Sequence, residues 1–358
     1  MAETEELHYH DPRELELWTR SVLLASGSQP SEAEQVARHL IESNLVGHDS
    51  HGVIRITKYL EWVRKGMLVQ NRHLAIVSER GPLLVADGGF GYGQVIGLEA
   101  MQLVAERAQS HGLCALALRN SGHLGRVGAW AEELAMAGLA SFHFVNTSGF
   151  GILVAPFGGS DRRMSANPLA AGVPLPQQPP IILDIATSII AEGKIQVARN
   201  KGETIPPNTV VDGQGKPTTD PAAFYADPPG AILPFGGHKG SGLSIICEVL
   251  AGSLTGGGSS HPDNPTAGRL VNNMLTLAFE PSAFGGIDVF RQDVERLAAW
   301  TRASPPVEAG GQVLLPGDLE RLNRETRLRD GIPLDPETVR QLTEVGERYG
   351  TPLTKAVQ

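Results

Sequence analysis

The chain has 358 residues, in which 30 Lys and Arg stand against 39 Asp and Glu, so its formal net charge is −9. This balance argues against a nucleic-acid scaffold, and no apolar run approaches the roughly 18 residues of a membrane span. The N-terminus lacks a signal-peptide pattern. We therefore expect a soluble, cytoplasmic, mixed α/β protein, in which Cys114 and Cys247 are buried thiols.

The first 66 residues are predicted to be helical. Asp11 and Pro12 offer an N-cap and a first helical residue. The segment Ser31 to Glu34 has the form of a capping box and precedes apolar residues at helical spacing. A third helix is expected to present Ile56 and Tyr59 on one side and to end at Gly66.

A short glycine-bounded loop between the second and third predicted helices contains His48, Asp49, Ser50 and His51, with Arg55 one turn later. The loop can be a proton-transfer or cofactor site, a metal site, or a polar turn in which Asp49 caps the third helix. No further histidine or cysteine pattern supports a metal. Arg55 is either a salt-bridged surface residue or a bidentate ligand for a carboxylate.

The stretch around His123 predicts a strand, a polar turn and a helix in succession. Residues 113–118 are an apolar run, and the helix after the turn is expected to stop at Gly138. A helix N-terminus favours an anion, and a histidine suits proton transfer near neutral pH. The alternative is a tight turn with a surface histidine.

The glycines of this turn do not form a Rossmann fingerprint. Gly122, Gly125 and Gly128 are spaced G-x-x-G-x-x-G, whereas the fingerprint is G-x-G-x-x-G. The next predicted strand ends at Asn146 rather than at an acidic residue that would bind a ribose. A standard Rossmann domain is therefore disfavoured.

Later segments offer further candidates. Asp184 interrupts the apolar strand 181–188, and it is either a functional group or a hydrogen-bonded structural residue. The glycine-rich entry at 235–242 carries Lys239 and resembles a phosphate cradle, although a loop without function is the alternative. We expect a flexible link at 256–260, an apolar strand end at 314–320 and tail helices around Ala298 and from Pro336.

Several of these stretches together resemble the type 2 malate/L-lactate dehydrogenase family, which includes ureidoglycolate, sulfolactate and hydroxycarboxylate dehydrogenases. The matching segments span nearly the whole chain and are 47–52, 120–125, 155–158, 166–168, 183–188, 217–221, 238–240 and 315–318. The resemblance implies a homodimeric oxidoreductase using NAD or NADP. It also implies a non-Rossmann, mixed-sheet cofactor domain at 76–289 and a mainly helical domain formed by 1–75 with 290–358.

The resemblance also implies roles for individual residues. His123 is expected to be the acid/base catalyst, with His51 beside the nicotinamide and substrate. Arg55, Ser50 and Tyr59 are expected to bind the substrate. The residues expected to contact the dinucleotide, besides His51, are Gly125, Arg126, Val127, Thr147, Asp184, Ile185, Ala186, His238, Lys239, Asn272, Leu315, Pro316, Gly317 and Asp318.

The main hypothesis is reversible hydride transfer between nicotinamide and a 2-hydroxy acid, in which Arg55 holds the carboxylate and His123 takes the hydroxyl proton. One alternative is reduction of a cyclic imine carboxylate. Another is a nucleotide-binding module without chemistry, which would not need His51, His123 and Arg55 together. Arg162 and Arg163 are candidates for binding a 2′-phosphate or are ordinary surface residues, so the choice between NAD and NADP stays open.

Overall fold

The structure, a computed structural model, describes residues 7–175, 177–264, 266, 268–353 and 356. The helices are α1 (Pro12–Ala25), α2 (Pro30–Leu45), α3 (Arg55–Arg64), α4 (Gly93–His111), α5 (Gly128–Met136), α6 (Glu192–Lys201), α7 (Pro221–Phe224), α8 (His238–Cys247), α9 (Ile287–Arg302), α10 (Asp318–Asp330) and α11 (Pro336–Tyr349). The strands are β1 (His8–His10), β2 (Ala75–Arg80), β3 (Leu83–Asp87), β4 (Leu113–Ser121), β5 (Ala140–Gly149), β6 (Leu169–Val173), β7 (Ile181–Ile185), β8 (Val210–Val211), β9 (Pro217–Thr218), β10 (Ala231–Ile232), β11 (Leu270–Phe279) and β12 (Ile332–Leu334). Over the described ranges, no helix is both long and apolar enough to span a membrane.

A helical unit brings the two ends of the described chain together. Its core contains apolar side chains from α1, α2, α3 and α11, including Trp18, Leu40, Ile56 and Val345. β1 pairs antiparallel with β12, which joins the N-terminal and C-terminal segments directly. The helical unit therefore depends on residues more than 300 positions apart in the sequence.

The helix starts agree only in part with the capping patterns. Asp11 caps α1 as predicted, because its carboxylate accepts hydrogen bonds from the backbone N–H groups of Arg13 and Glu14. The capping box at Ser31 is wrong. Pro30 already occupies the first turn of α2, so Ser31 lies inside the helix.

The central sheet is mixed, in agreement with the predicted α/β class. Seven strands lie in the order β2-β3-β4-β11-β5-β6-β7. β3 and β4 run parallel, and the other neighbouring pairs are antiparallel. β11 lies between β4 and β5, where Asn272 faces Ser121 on one side and Thr147 on the other. This register places Asn272 beside the strand end that leads to His123.

The two faces of the sheet are covered by different helices. Val145 joins the core formed with α4 and α5. The next residue, Asn146, bonds to Glu248 in a π-helical turn, Glu248–Ser253, that continues α8. Because successive side chains of a strand point to opposite faces, α8 and its π-helical turn cover the face away from α4 and α5.

A small three-stranded sheet, β10-β8-β9, forms a separate cluster with α6 and α7. The hairpin between β8 and β9 turns at residues 212–215, as the sequence pattern predicts. The predicted domain boundary at residue 290 lies within α9.

Two predicted segments have a different structure. The expected flexible link at 256–260 is a packed loop, because Gly258 O accepts from Asn146 and a Cβ on Gly257 would lie 2.0 Å from Asn273 Oδ1. The expected strand end at 314–320 is also wrong. Gly317, at φ +94°, turns the chain into α10, a helix that the sequence pattern did not indicate.

Candidate functional site

The predicted strand, turn and helix around His123 are confirmed. β4 ends at Ser121 and α5 begins at Gly128. Two asparagines of β11 hold the turn, since Asn272 Oδ1 accepts from Leu124 N at 2.9 Å and Asn273 Oδ1 accepts from Asn120 N at 2.9 Å. The position of His123 is therefore set by a strand distant from it in sequence.

His123 is 9% exposed, so the alternative of a surface histidine is wrong. Its Nδ1 lies 2.7 Å from the hydroxyl oxygen of Tyr59, a fully buried residue on α3. Nε2 of His123 has no hydrogen-bond partner in the part of the chain described, so it is the ring nitrogen left for a substrate. Gln94 joins His123 and Tyr59 in a chain of hydrogen bonds, since its Nε2 donates to Tyr59 Oη at 2.8 Å. The sequence analysis did not predict a role for Gln94.

His51 lies beside His123. The two rings are stacked with centroids 5.2 Å apart and planes 14° from parallel. Burial lowers the pKa of both histidines well below the usual value, and the nearby Arg55 charge lowers each pKa further. Both imidazoles are therefore neutral at pH 7. Nδ1 of His51 is buried and has no partner among the described residues.

Arg55 and Ser50 form the rim of this cluster. Arg55 Nε donates to the carbonyl oxygen of Ser50 at 2.5 Å. Within the described ranges Arg55 forms no salt bridge, so the salt-bridged alternative is not what the structure has. Burial raises the pKa of Tyr59 to about 12, and the positive charge of Arg55 opposes that rise.

The loop before α3 is clamped by α10. The Asp49 carboxylate accepts hydrogen bonds from Nη1 and Nη2 of Arg327 at 2.6 and 2.9 Å. It also accepts one from Asn44 Nδ2. Asp49 therefore does not cap α3, and that alternative is wrong. The bidentate pair fixes the 3₁₀ turn Asp49–His51, which carries Ser50 and His51.

The predicted dinucleotide residues in the turn have mainly internal partners. Gly125 has φ +72°, and a Cβ there would lie 2.3 Å from His39 Nε2. The next amide, Arg126 N, donates to the same His39 nitrogen at 3.2 Å. The side chain of Arg126 is 3% exposed and pairs with Glu132 at 2.8 Å, while its buried Nε lacks a partner among the described residues. Val127 is buried at the start of α5.

Asp184 supplies the anion that the N-terminus of α5 favours. Its Oδ2 accepts from Gly128 N at 2.9 Å, which corresponds to the hydrogen-bonded structural alternative. Ile185 and Ala186 follow it at the end of β7. Ile182 N, earlier in that strand, donates to Pro316 O at 3.0 Å, so β7 lies against the 315–318 turn.

The remaining candidates occupy neighbouring positions. Asp318 begins α10 and accepts from Leu315 N at 2.7 Å and from Arg302 at 3.2 Å. Asn272 Nδ2 donates to Thr147 Oγ1 at 2.9 Å. His238 and Lys239 are exposed at the start of α8. That helix entry bonds to the residues after β7 through Phe235 N and Thr187 O.

Arg162 and Arg163, the candidates for binding a 2′-phosphate, both have partners within the protein. The Arg162 guanidinium lies 4.2 Å from the Phe224 ring centroid and donates to the carbonyls of Gly230 and Phe224. Arg163 pairs with Asp161 at 2.6 Å. Arg162 is therefore a structural residue beside the small sheet.

Two further findings concern metals and thiols. In the residues that the structure describes, no group of three or more His, Cys, Asp or Glu side chains could hold a metal ion. Cys114 and Cys247 are buried and unpaired, as predicted.

Comparisons with known proteins place the chain in a family. The family model for malate/L-lactate dehydrogenase matches residues 10–343. Hydroxycarboxylate dehydrogenase B of Escherichia coli O157:H7 is 41% identical, over 96% of this chain and 95% of that protein. This agrees with the hydroxycarboxylate dehydrogenase resemblance.

Solved structures are similar over nearly the whole fold. Sulfolactate dehydrogenase from Methanocaldococcus jannaschii superposes with a TM-score of 0.85 at 32% identity, covering 97% of this chain and 98% of that one. Δ1-piperideine-2-carboxylate reductase from Pseudomonas syringae gives a TM-score of 0.82 at 30% identity, covering 94% and 99%. The chain belongs to the malate/L-lactate dehydrogenase family.

Proposed function

We propose that the protein transfers hydride between a nicotinamide cofactor, NAD or NADP, and a small 2-hydroxy acid, giving the 2-oxo acid. The observation that carries this proposal is the buried cluster of His123, His51 and Tyr59 beside Arg55. It combines a neutral imidazole with a cation that has no carboxylate partner among the described residues. A hydroxy acid has the matching groups, namely a hydroxyl proton and a carboxylate.

In this reaction His123 holds or moves the proton of the substrate hydroxyl at Nε2. General acid–base help of this kind is typically worth about 10²–10⁴-fold. Arg55 binds the substrate carboxylate through its guanidinium, and Ser50 and Tyr59 line the same place. Fixing the carboxylate orients the reacting carbon towards the cofactor and lowers the entropic part of the barrier.

The described residues fit a nicotinamide dinucleotide. Buried polar atoms without partners are costly, and His51 Nδ1 and Arg126 Nε are two of them. A polar ligand at this place would satisfy such atoms. When bound, the cofactor supplies the hydride acceptor or donor.

We assign its binding to residues on adjoining segments. These are His51 and Asn272 near the catalytic histidine, Gly125, Arg126, Val127 and Thr147 around the turn, Asp184, Ile185 and Ala186 after β7, His238 and Lys239 at α8, and Leu315, Pro316, Gly317 and Asp318 before α10.

The proposal also divides the chain into two domains. Residues 1–75 with 290–358 would form the helical domain, and 76–289 the non-Rossmann cofactor domain. The shared core of α1, α2, α3 and α11 supports the first. The mixed strand order around β11 supports the second. His51, Arg55 and Tyr59 would then come from one domain and His123 from the other, so the reaction would take place where the two domains meet.

A second candidate is reduction of a cyclic imine carboxylate. The structural match to Δ1-piperideine-2-carboxylate reductase favours it. The same residues would serve, because Arg55 would bind the carboxylate and His123 would lie beside the imine nitrogen.

We further propose a homodimer located in the cytoplasm. The dimer is implied by the family resemblance, and the small helical unit is consistent with it. Sedimentation should give twice the chain mass, and full activity of a monomer at nanomolar concentration would exclude an obligate dimer.

The proposed function is tested by a screen for turnover. Turnover is monitored by the absorbance of the reduced nicotinamide. Both reduced cofactors are offered with a panel of 2-oxo acids and cyclic imines, and both oxidised cofactors with the hydroxy acids. We expect turnover with 2-oxo acids. Turnover of imines alone would replace the first proposal by the second.

A further inference from the structure

Gln94 is a fully buried residue in the first turn of α4, and its amide group can be oriented from its contacts. Nε2 lies 2.8 Å from Tyr59 Oη and 3.3 Å from the carbonyl oxygen of His123. A carbonyl oxygen can only accept, so the atom facing it must be the amide nitrogen. Gln94 therefore donates to Tyr59.

This donation fixes the direction of the next hydrogen bond. A tyrosine hydroxyl has one hydrogen, and Tyr59 Oη contacts only Gln94 Nε2 and His123 Nδ1 among the described polar atoms. Since Gln94 supplies a hydrogen to the oxygen, the hydroxyl hydrogen is free to point at Nδ1. Nδ1 then accepts, and a neutral His123 carries its proton on Nε2.

The protonated ring does not fit the same arrangement. An imidazolium has N–H groups at both nitrogens, so Tyr59 Oη would receive two donors and its own hydrogen would lose its acceptor. In a fully buried position an unsatisfied donor costs free energy. The other titratable or charged groups facing His123 are Arg55 on α3, His51 on the 3₁₀ turn and His39 on α2. None of these is an anion that would compensate.

We propose that Gln94 is a positioning residue that acts through Tyr59 to hold His123 neutral, with its proton on Nε2. The inference rests on the proposed function, because it assigns protonation control to the proposed acid/base group. The ring accepts a substrate proton at Nε2 only in its other neutral tautomer, which forms when Nε2 loses its hydrogen to solvent and Nδ1 gains one. Tyr59 Oη then takes two donors. Gln94 therefore also determines how readily Nε2 becomes an acceptor.

Gln94→Glu is the informative substitution. The ionised carboxylate that it introduces would accept the Tyr59 hydroxyl hydrogen, so Tyr59 would accept from Nδ1–H and the chain of hydrogen bonds would reverse. We expect the pKa of His123 to rise by about one unit or more, because a nearby anion favours the imidazolium. Gln94→Met removes the donor without adding charge, and its shift should be upward but smaller.

The readout is nuclear magnetic resonance of histidine labelled with ¹⁵N, measured on the full chain, with the His123 signal assigned by its loss in His123→Asn. In the wild type we expect the neutral ring to carry its proton on Nε2. In Gln94→Glu the proton of the neutral ring should shift towards Nδ1. The limb of the pH–turnover profile that is assigned to His123 should move to higher pH by the same amount as the His123 pKa.

Two controls distinguish an effect through the hydrogen bonds from Gln94 to Tyr59 and His123 from a general effect of added charge. Gln35→Glu adds a carboxylate on α2 and should leave the His123 pKa in place. Among the described residues, Gln35 Nε2 bonds only to the backbone oxygen of Gln94. In a Tyr59→Phe background, Gln94→Glu should lose most of its effect.

The proposal is overturned if the wild-type neutral ring carries its proton on Nδ1, a measurement that needs no variant. It is also overturned if Gln94→Met folds and keeps the wild-type pKa and tautomer, or if Gln94→Glu does so at a pH where its carboxylate is ionised. Absence of turnover in the wild type with every substrate would reject the proposed function instead, and the resonance data would still decide the role of Gln94.

Discussion

At His123 the controlling quantity is the free energy of placing a positive charge on a buried ring. Burial disfavours the imidazolium, and Arg55 adds repulsion from the same side of the site. The folded protein therefore keeps a neutral imidazole beside a cation that can bind a carboxylate. This combination suits proton removal from a hydroxy acid, whose negative carboxylate is drawn to Arg55 while its hydroxyl meets His123.

His123→Asn tests this role. Asparagine keeps a polar side chain of similar size but cannot transfer a proton near neutral pH, so the chemical step should slow by about 10²-fold or more. Cofactor affinity should change little, because the proposed contacts of Gly125 to Val127 are mainly backbone groups. Single-turnover rates and cofactor titration measure the two effects.

His143→Asn is the matched control. His143 is also buried, but it bonds to Thr276 and Ser141 within the sheet. Its loss should lower thermal stability without changing the rate of the chemical step. Normal turnover of His123→Asn would remove His123 from the mechanism and make His51 the next candidate.

The sequence predicted the site residues better than their partners. Together with the family resemblance, it predicted His123, His51 and Arg55 as site residues, and the structure brings the three together. Gln94 gave no signal, because a single glutamine in a helix has no pattern that marks it as buried beside a tyrosine. The structural alternative for Asp184 agrees with its bond to Gly128 N, since a carboxylate in an apolar strand needs a donor.

Among the secondary-structure elements, α10 was the hardest to predict and lies against the site. It has no buried residue, so it lacks the apolar stripe by which amphipathic helices are recognised. It is held instead by ion pairs, namely Arg324 with Glu42, Arg327 with Asp49 and Glu320 with His48. Contacts between charged side chains remote in sequence leave no local pattern.

Arg327→Met should loosen the turn that carries Ser50 and His51. The bidentate pair with Asp49 and the bond to Asn44 O would both be lost. Because the pair is partly exposed, it is worth about 1 kcal/mol or less. We therefore expect KM for the acid substrate to rise by up to roughly fivefold, with a small fall in melting temperature.

Arg329→Met provides the comparison on the same helix. Arg329 pairs only with its neighbour Asp330 and is exposed, so steady-state kinetics should match the wild type. Equal KM values for Arg327→Met and Arg329→Met would mean that α10 does not position the turn.

At the scale of the whole molecule, pairing between strands that are distant in sequence sets positions that local sequence patterns do not predict. β11 is the central strand, between β4 and β5, and no local sequence pattern indicates that position. Asn272 and Asn273 hold the His123 turn, and Asn273 also packs against Gly257 and Gly258. Glycine there permits close backbone approach rather than flexibility, a distinction that depends on the folded neighbours.

Buried histidines give the whole molecule a predictable response to acid. The pKa values of His10, His39, His51, His123 and His143 are all lowered in the folded state, chiefly by burial. In the unfolded chain each has a pKa near 6.5. Below that pH the unfolded state therefore binds more protons than the folded state, and stability falls as the pH drops.

His73 affects the pH dependence of stability in the opposite direction, because its hydrogen bond to Glu99 raises its pKa. The stability that His73 contributes is present below the pKa of its ring in the unfolded chain. It is lost as the pH rises through the pKa of the ring in the folded protein. The ring is largely exposed, so solvent screening keeps this contribution small.

We expect the free energy of unfolding in urea to be nearly flat above about pH 7 and to fall steeply below about pH 6. Each buried histidine that stays neutral contributes up to about 1.4 kcal/mol per pH unit. His143→Asn should therefore reduce the slope by about one proton, whereas a substitution of the exposed His111 on α4 should leave it unchanged. A slope that His143→Asn does not alter would show that its ring accepts a proton in the folded state, contrary to its burial between Ser141 and Thr276.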